Sequence, residues 1–185
     1  MSGDMKAGQL LIADPFLKDP NFQRTVVVLC DHDKDTGTIG FVINRKTGQA
    51  VGDLISQLEV CPLPVYYGGP VQTDTLHFLH TCPQLIPDGH SIGNGIFWGG
   101  DFDTAADLLC NNQIEPDNIR FYLGYSGWGG GQLKGEMEEK TWLITEAGKE
   151  LVFHKNVSLI WQDALRKLGG KYEQLIHYPL DPQLN

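Results

Sequence analysis

Several stretches of this sequence combine residue types that could do chemistry. In Gly124-Tyr125-Ser126-Gly127-Trp128 a serine between glycines ends an aromatic and β-branched run. That is the setting of a nucleophile elbow, where a sharp strand-to-helix turn exposes a serine hydroxyl for acyl transfer. The elbow wants glycine two residues after the serine, and Trp128 stands there, so a hydrolase using Ser126 is the alternative reading. The chain continues Gly129-Gly130-Gly131-Gln132-Leu133-Lys134-Gly135-Glu136. A glycine-rich turn that opens a helix can offer free backbone N–H groups to a carboxylate or phosphate. It lacks the GK[ST] of a P-loop and does not match G-x-G-x-x-G. A tight turn with its backbone packed under Trp128 fits the same residues.

The alternating carboxylates of Asp31-His32-Asp33-Lys34-Asp35-Thr36-Gly37 resemble a calcium loop. The strict positions fail: Thr36 and Val42 stand where an EF-hand has glycine and a bidentate glutamate, and the flanks read as strands. A hairpin turn is the better reading. His77, His80, Cys82 and His90 are the only cluster of transition-metal ligands. Residues 77 and 80 face opposite sides of a strand and no paired spacing unites the set, so no metal and no cofactor is expected. Arg24, Asn44, Arg45 and Lys46 gather near the first hairpin. Trp98, Trp142 and Trp161 sit among apolar neighbours and read as core; Trp128, among glycines, is the aromatic best placed to line a groove.

The elements that must position these groups are mostly strands. Residues 22–30 form a β-branched run, and after a polar loop at 31–37 a second run follows at 38–44, together a hairpin buried on both faces. Further strands are expected at 65–67, 75–81, 96–98, 119–125, 141–145 and 151–154. Apolar side chains at Val51, Leu54, Ile55 and Leu58 have one-face helix spacing. A helix is expected from 104 to 111, with Thr104-x-x-Asp107 as an acidic capping box. The last helix has the clearest pattern: Asn156 as cap, the stripe Val157, Ile160, Trp161, Ala164 and Leu168, and Gly169 as a left-handed stop. Residues 82–95 read as a long irregular loop, a candidate lid or rim. Strands in pairs with helices interspersed irregularly make the fold α+β.

At 185 residues the chain is one domain by the usual arithmetic, with frayed ends expected at 1–7 and 180–185. Fourteen basic against 23 acidic residues give a net charge of −9, which argues against a nucleic-acid surface and so against a DNA-binding regulator. No apolar run is long enough to span a bilayer, so no membrane partner is expected. Four scattered cysteines without a CxxC pair fit reduced thiols and a cytoplasmic location. Glycine is in excess, and six of the 22 lie between Gly124 and Gly135.

Taken in order, Gly8-Gln9-Leu10-Leu11-Ile12-Ala13 with Pro15 and Asp19, Phe22-Gln23-Arg24-Thr25-Val26-Val27, Gly37 to Arg45, Gly68-Gly69-Pro70-Val71, and Gly124 to Trp128 with Gln132, Leu133 and Glu136 resemble the AlgH/YqgE family of bacterial proteins. The resemblance covers nearly the whole chain. It implies an α+β single domain whose bifurcated mixed β-sheet curls into a pseudo-barrel with about four peripheral helices. It implies no catalytic residue. By the same resemblance Arg24, Asn44, Arg45, Gly68, Gly69, Pro70, Ser126, Gly127, Trp128 and Gln132 are the candidate ligand-binding residues. The expected function is non-enzymatic binding of a small anionic ligand or a protein partner through a groove near the second glycine-rich turn.

Overall fold

The computed structural model describes residues 5–179. Ten strands form one mixed sheet: β1 (Gln9–Ala13), β2 (Val26–Asp33), β3 (Gly37–Val42), β4 (Lys46–Ala50), β5 (Pro64–Tyr67), β6 (Val71–His80), β7 (His90–Gly93), β8 (Ile96–Trp98), β9 (Ile119–Trp128) and β10 (Trp142–Glu146). Hydrogen-bonded neighbours run β10-β1-β2-β3-β9-β6-β8-β7, with β5 added to β9 and β4 to β5. The pairing of β5 with β9 is parallel and the others are antiparallel.

The unbroken apolar run of β2 follows from a sheet covered on both faces, where the period of two sends alternate side chains into different cores. Val26, Val28 and Cys30 join Leu10, Ile12, Phe41 and Ile43 in one cluster, with Trp161 and Leu165 from the last helix. Val27 and Leu29 join Leu11, Val42, Trp128 and Trp142 in another. A third, around Phe78, Ile119 and Phe121, is covered by Ala105 and Ala106.

The sheet divides along β9. Its last residues, Ser126 to Trp128, pair with β3, whereas Phe121 to Leu123 pair with β5 on that edge and with β6 on the other. Only Gly68, Gly69 and Pro70 connect β5 to β6. The chain must therefore cross a face of β9 in three residues, and it does so at Gly124. A Cβ on Gly68 would lie 2.4 Å from the Gly124 carbonyl oxygen, and one on Gly69 would lie 2.2 Å from the Tyr125 carbonyl carbon. Two backbones in direct contact leave room for hydrogen only, and Gly124 also has a φ of +67°. The divided sheet then curls until its ends approach without pairing: Asn94 at the β7–β8 turn donates to the Ala147 carbonyl at 2.7 Å, just past β10.

Five α-helices and four 3-10 segments surround the sheet among the described residues. α1 (Val51–Leu54) ends after one turn where Ile55 turns extended, and the expected helix resumes as the 3-10 turn Ser56–Leu58. α2 (Phe102–Cys110) starts two residues before the expected position, because its cap is Asp101, whose carboxylate accepts from the Thr104 amide at 2.7 Å. α3 (Gln132–Glu138) follows the glycine-rich turn, and α5 (Ile160–Leu168) ends at Gly169 with φ +68°. The expected strand at 151–154 is instead the single helical turn α4 (Lys149–Val152), whose Leu151 and Val152 reach the core from a helix. The loop 82–95 contains strand β7. Residues 1–4 and 180–185, most of the expected frayed ends, lie outside the described residues. No described helix is long and apolar enough to cross a membrane.

Candidate functional site

An open groove of about 390 Å³ lies over the β3–β9 seam. Its floor is a row across three strands. Asp31 of β2 pairs with Ile39 of β3, and Ile39 pairs with Gly127 of β9. Directly paired residues share a sheet face, as do residues two apart on a strand. Tyr125 therefore stands on the same face as Gly127, and Val71, its partner on β6, stands beside it. Thr36 and Gly37 close the end at the hairpin tip. The tip is a turn of the kind expected: one carboxylate oxygen of Asp33 accepts from the amides of Asp35 and Thr36, both at 2.8 Å, and those bonds hold its pKa below the usual carboxylate range.

The ten residues singled out in the sequence fall into three places. Arg24, Asn44 and Arg45 do not line the groove; they fasten the segment before β2. Asn44 accepts from the Val26 amide at 3.0 Å and donates to the Arg24 carbonyl at 2.9 Å, steadying a residue at φ +50°. Arg45 donates to the carbonyls of Pro20, Asn21 and Gln23 at 2.8–3.0 Å, and burial lowers its pKa against the opposing pull of Tyr67 and Asp19. The Arg24 guanidinium lies 4.8 Å above the Trp161 ring and donates to the Tyr178 carbonyl. The Arg45 guanidinium is thus committed to three carbonyls, and that of Arg24 to one carbonyl and a ring face, with its buried Nε lacking a partner.

Gly68, Gly69, Pro70 and Ser126 belong to the crossing. Ser126 is fully buried, one residue out of phase with the groove face, and its hydroxyl donates to the Gly68 carbonyl at 3.0 Å. The serine that resembled an elbow nucleophile therefore points into the protein and anchors the crossing segment.

Gly127 and Trp128 do border the groove, but Trp128 is only 5% exposed. Its ring stacks on Phe22 and meets Trp142 edge-on. The indole N–H groups of Trp128 and Trp142 both donate to one oxygen of Glu136, at 2.9 and 2.8 Å. Gln132 bridges this carboxylate to the turn, donating to its other oxygen at 3.1 Å while accepting from the Gly129 amide at 3.0 Å. The groove wall is thus held from behind by α3, and Gln132 is a support rather than a contact surface.

Asp31, Ile39, Val71 and Tyr125 are groove residues that sequence reasoning did not select. Alternation along β9 links Tyr125 to Gly127, but the register that brings Asp31 and Ile39 into their row depends on pairing between distant segments. Among the histidines, His80 is buried with Nε2 bound to the Gly99 carbonyl at 2.9 Å, and burial lowers its pKa. His77 packs among Phe41, Trp98 and Tyr125, its Nε2 without a partner, and burial lowers its pKa as well.

The family described as AlgH-like (DUF179) matches residues 10–173. A UPF0301 protein of Cytophaga hutchinsonii is 40% identical over 179 residues, covering 96% of this chain and 98% of that protein. A UPF0301 protein of Chlorobaculum parvum is 41% identical over 181 residues, covering 98% and 96%. The solution structure of the AlgH protein from Pseudomonas aeruginosa superposes with a TM-score of 0.74 at 28% identity, covering 97% of this chain and 98% of that one. A crystal structure of a protein from Corynebacterium diphtheriae has a TM-score of 0.78 over 95% and 94% of the two chains; at 19% identity that likeness concerns the fold.

Proposed function

The chain belongs to the AlgH-like family, and from that premise we propose that it is a non-enzymatic binding protein whose β3–β9 groove receives a ligand or a segment of a partner. One observation carries the reading: side chains and a bare backbone stretch at Gly127 form an open concavity over the seam. Its volume lies near the lower end of the 300–1,000 Å³ usual for ligand sites, enough for one side chain or a small metabolite. The buried, carbonyl-bound Ser126 supports binding over acyl transfer. Four free cysteines, with the Cys30 thiol pushed well up by burial and by Asp31, fit action in the reducing cytoplasm.

The test is a thermal-shift screen with nucleotides, phosphorylated metabolites, carboxylates and short peptides, on the wild type and on Gly127→Leu. A ligand at 100 times its dissociation constant adds about 2.7 kcal/mol of stability. The reading expects a shift in the wild type that Gly127→Leu abolishes by filling the groove. Melts that respond equally in both proteins, or to nothing, refute it.

A further inference from the structure

The charge of the groove favours a particular occupant, an inference that rests on the binding reading above. The lining holds one formal charge, the carboxylate of Asp31, and no cation. Asp31 is exposed and takes no part in the ion pairs or side-chain hydrogen bonds of the described residues. Seven other aspartates are engaged, Asp14, Asp19, Asp33, Asp53 and Asp101 with a backbone amide and Asp117 and Asp163 in ion pairs. Asp35, Asp74, Asp88, Asp103 and Asp107 are as free as Asp31, and what sets Asp31 apart is that it alone of these lines the groove. Asp31 stands at one end of the row whose middle is aliphatic Ile39 and whose far end, Gly127, has no side chain.

We propose that this row receives the side chain of an arginine presented by a partner polypeptide. Adjacent strands lie about 4.8 Å apart, so Asp31 and Gly127, two strands apart, are separated by about the length of a long basic side chain and its hydrogen bond. The guanidinium meets the Asp31 carboxylate through two parallel N–H donors, for which its fork is better shaped than an ammonium. The methylene stem lies along Ile39. The partner backbone enters over Gly127, where no side chain obstructs it, and its neighbouring apolar residue reaches Val71 and Tyr125. The net charge of −9 draws a basic partner toward this chain and repels an acidic one. An anionic ligand, the expectation from sequence, finds no cation in the lining, because Arg24 and Arg45 are engaged elsewhere.

The experiment titrates the isotope-labelled full chain, followed by backbone amide NMR, with three capped pentapeptides: Gly-Leu-Arg-Leu-Gly and its counterparts with citrulline or glutamate in place of arginine. The arginine peptide is expected to move the amides of Ile39, Tyr125 and Gly127. Replacing arginine by citrulline, or Asp31 by Asn, is expected to weaken binding about tenfold, as is raising the salt from about 0.05 to 0.5 M. Equal binding of the citrulline or glutamate peptide at these amides, or indifference to Asp31→Asn, overturns the arginine inference and leaves the groove reading standing. Silence of every groove amide with all three peptides at about 1 mM overturns the inference. The groove reading is then decided by the thermal-shift screen.

Discussion

Replacing Gly69 by Ala should be among the most damaging methyl additions in the chain. The added carbon would lie 2.2 to 2.3 Å from the carbonyl group of Tyr125 and the amide nitrogen of Ser126, all backbone atoms of β9. Ordinary contact begins near 3.4 Å, so the crossing segment must lift by about 1 Å, and no side-chain rotation relieves it. Three hydrogen bonds hold that segment: the Gly68 amide to the Leu123 carbonyl at 2.8 Å, and the Gly68 carbonyl to the Val42 amide at 2.8 Å and the Ser126 hydroxyl at 3.0 Å. Each contributes about 0.5–1.5 kcal/mol, and overpacking adds about 1–3 kcal/mol. The expected loss is therefore about 3–7 kcal/mol, a large share of the 5–15 kcal/mol typical of a domain. In urea, with a slope of about 2 kcal/mol/M, the midpoint should fall by about 1.5–3.5 M, or the protein should fail to fold. The control is Gly135→Ala, in α3 with nothing within 4 Å of the added carbon, which should stabilise by about 0.5–1 kcal/mol. A Gly69→Ala protein within about 1 kcal/mol of wild type would refute the close crossing as the reason for this glycine.

Glu136→Gln keeps the size of the side chain but removes the charge that two indoles and the Gln132 amide address, and sets one amide group against another. Because the carboxylate is half-exposed, the expected loss is about 1–2 kcal/mol by urea unfolding followed through tryptophan fluorescence, and a loss under 0.5 kcal/mol would argue against the cradle. Ser126→Ala should lose only about 1 kcal/mol, since the Gly68 carbonyl keeps its bond from Val42; neither protein should react with a fluorophosphonate probe, and labelling that depends on Ser126 would reinstate the hydrolase. Burial lowers the pKa of His77 and His80, so the unfolded chain takes up protons first as pH falls below about 6.5, and their contribution is full above that pH and lost as pH falls toward the lowered values. His77→Phe removes an unpartnered ring nitrogen among aromatic rings; it should be more stable by about 1 kcal/mol near neutrality with a shallower loss between pH 7 and 5, and an unchanged slope would remove His77 from the account.

Local chemistry made much of the fold readable. Within the run expected at 22–30, the wholly apolar part from Val26 to Cys30 demands burial on both sides, and β2 alternates between two cores there. Phe22 to Thr25 are instead a turn, closed by the Thr25 amide on the Phe22 carbonyl, so the strand starts four residues later than expected. The stripe from Val157 to Leu168 is α5 with its preceding turn, and 96–98 is β8 residue for residue. β4 was not legible, because Lys-Thr-Gly-Gln-Ala has no apolar periodicity and is a strand only through its pairing with β5. Leu151, Val152 and Phe153 have strand composition but are too few to distinguish a strand from one helical turn. How the candidate site residues group in space was illegible for a related reason. Gly68-Gly69-Pro70 and Gly124-Tyr125-Ser126 are recognisable as unusual, but nothing local reveals that they are one object, two backbones touching.

That distinction separates the glycines of this region into two kinds. Gly68, Gly69 and Gly124 are required by the crossing: every added Cβ there strikes backbone, and Gly124 is also left-handed. Gly127 is under neither constraint. Its φ is not positive, and a Cβ there would meet first a ring carbon of Tyr125, at 3.1 Å, which a small rotation of that side chain relieves. A larger side chain at 127 would stand on the groove face between Ile39 and Tyr125 without disturbing a core. The fold does not need glycine at this position, yet its bare backbone is what keeps the row from Asp31 open across three strands. The period of two that buries Ser126 against the crossing presents Gly127 to solvent, so one short sequence serves architecture with one residue and an open surface with the next.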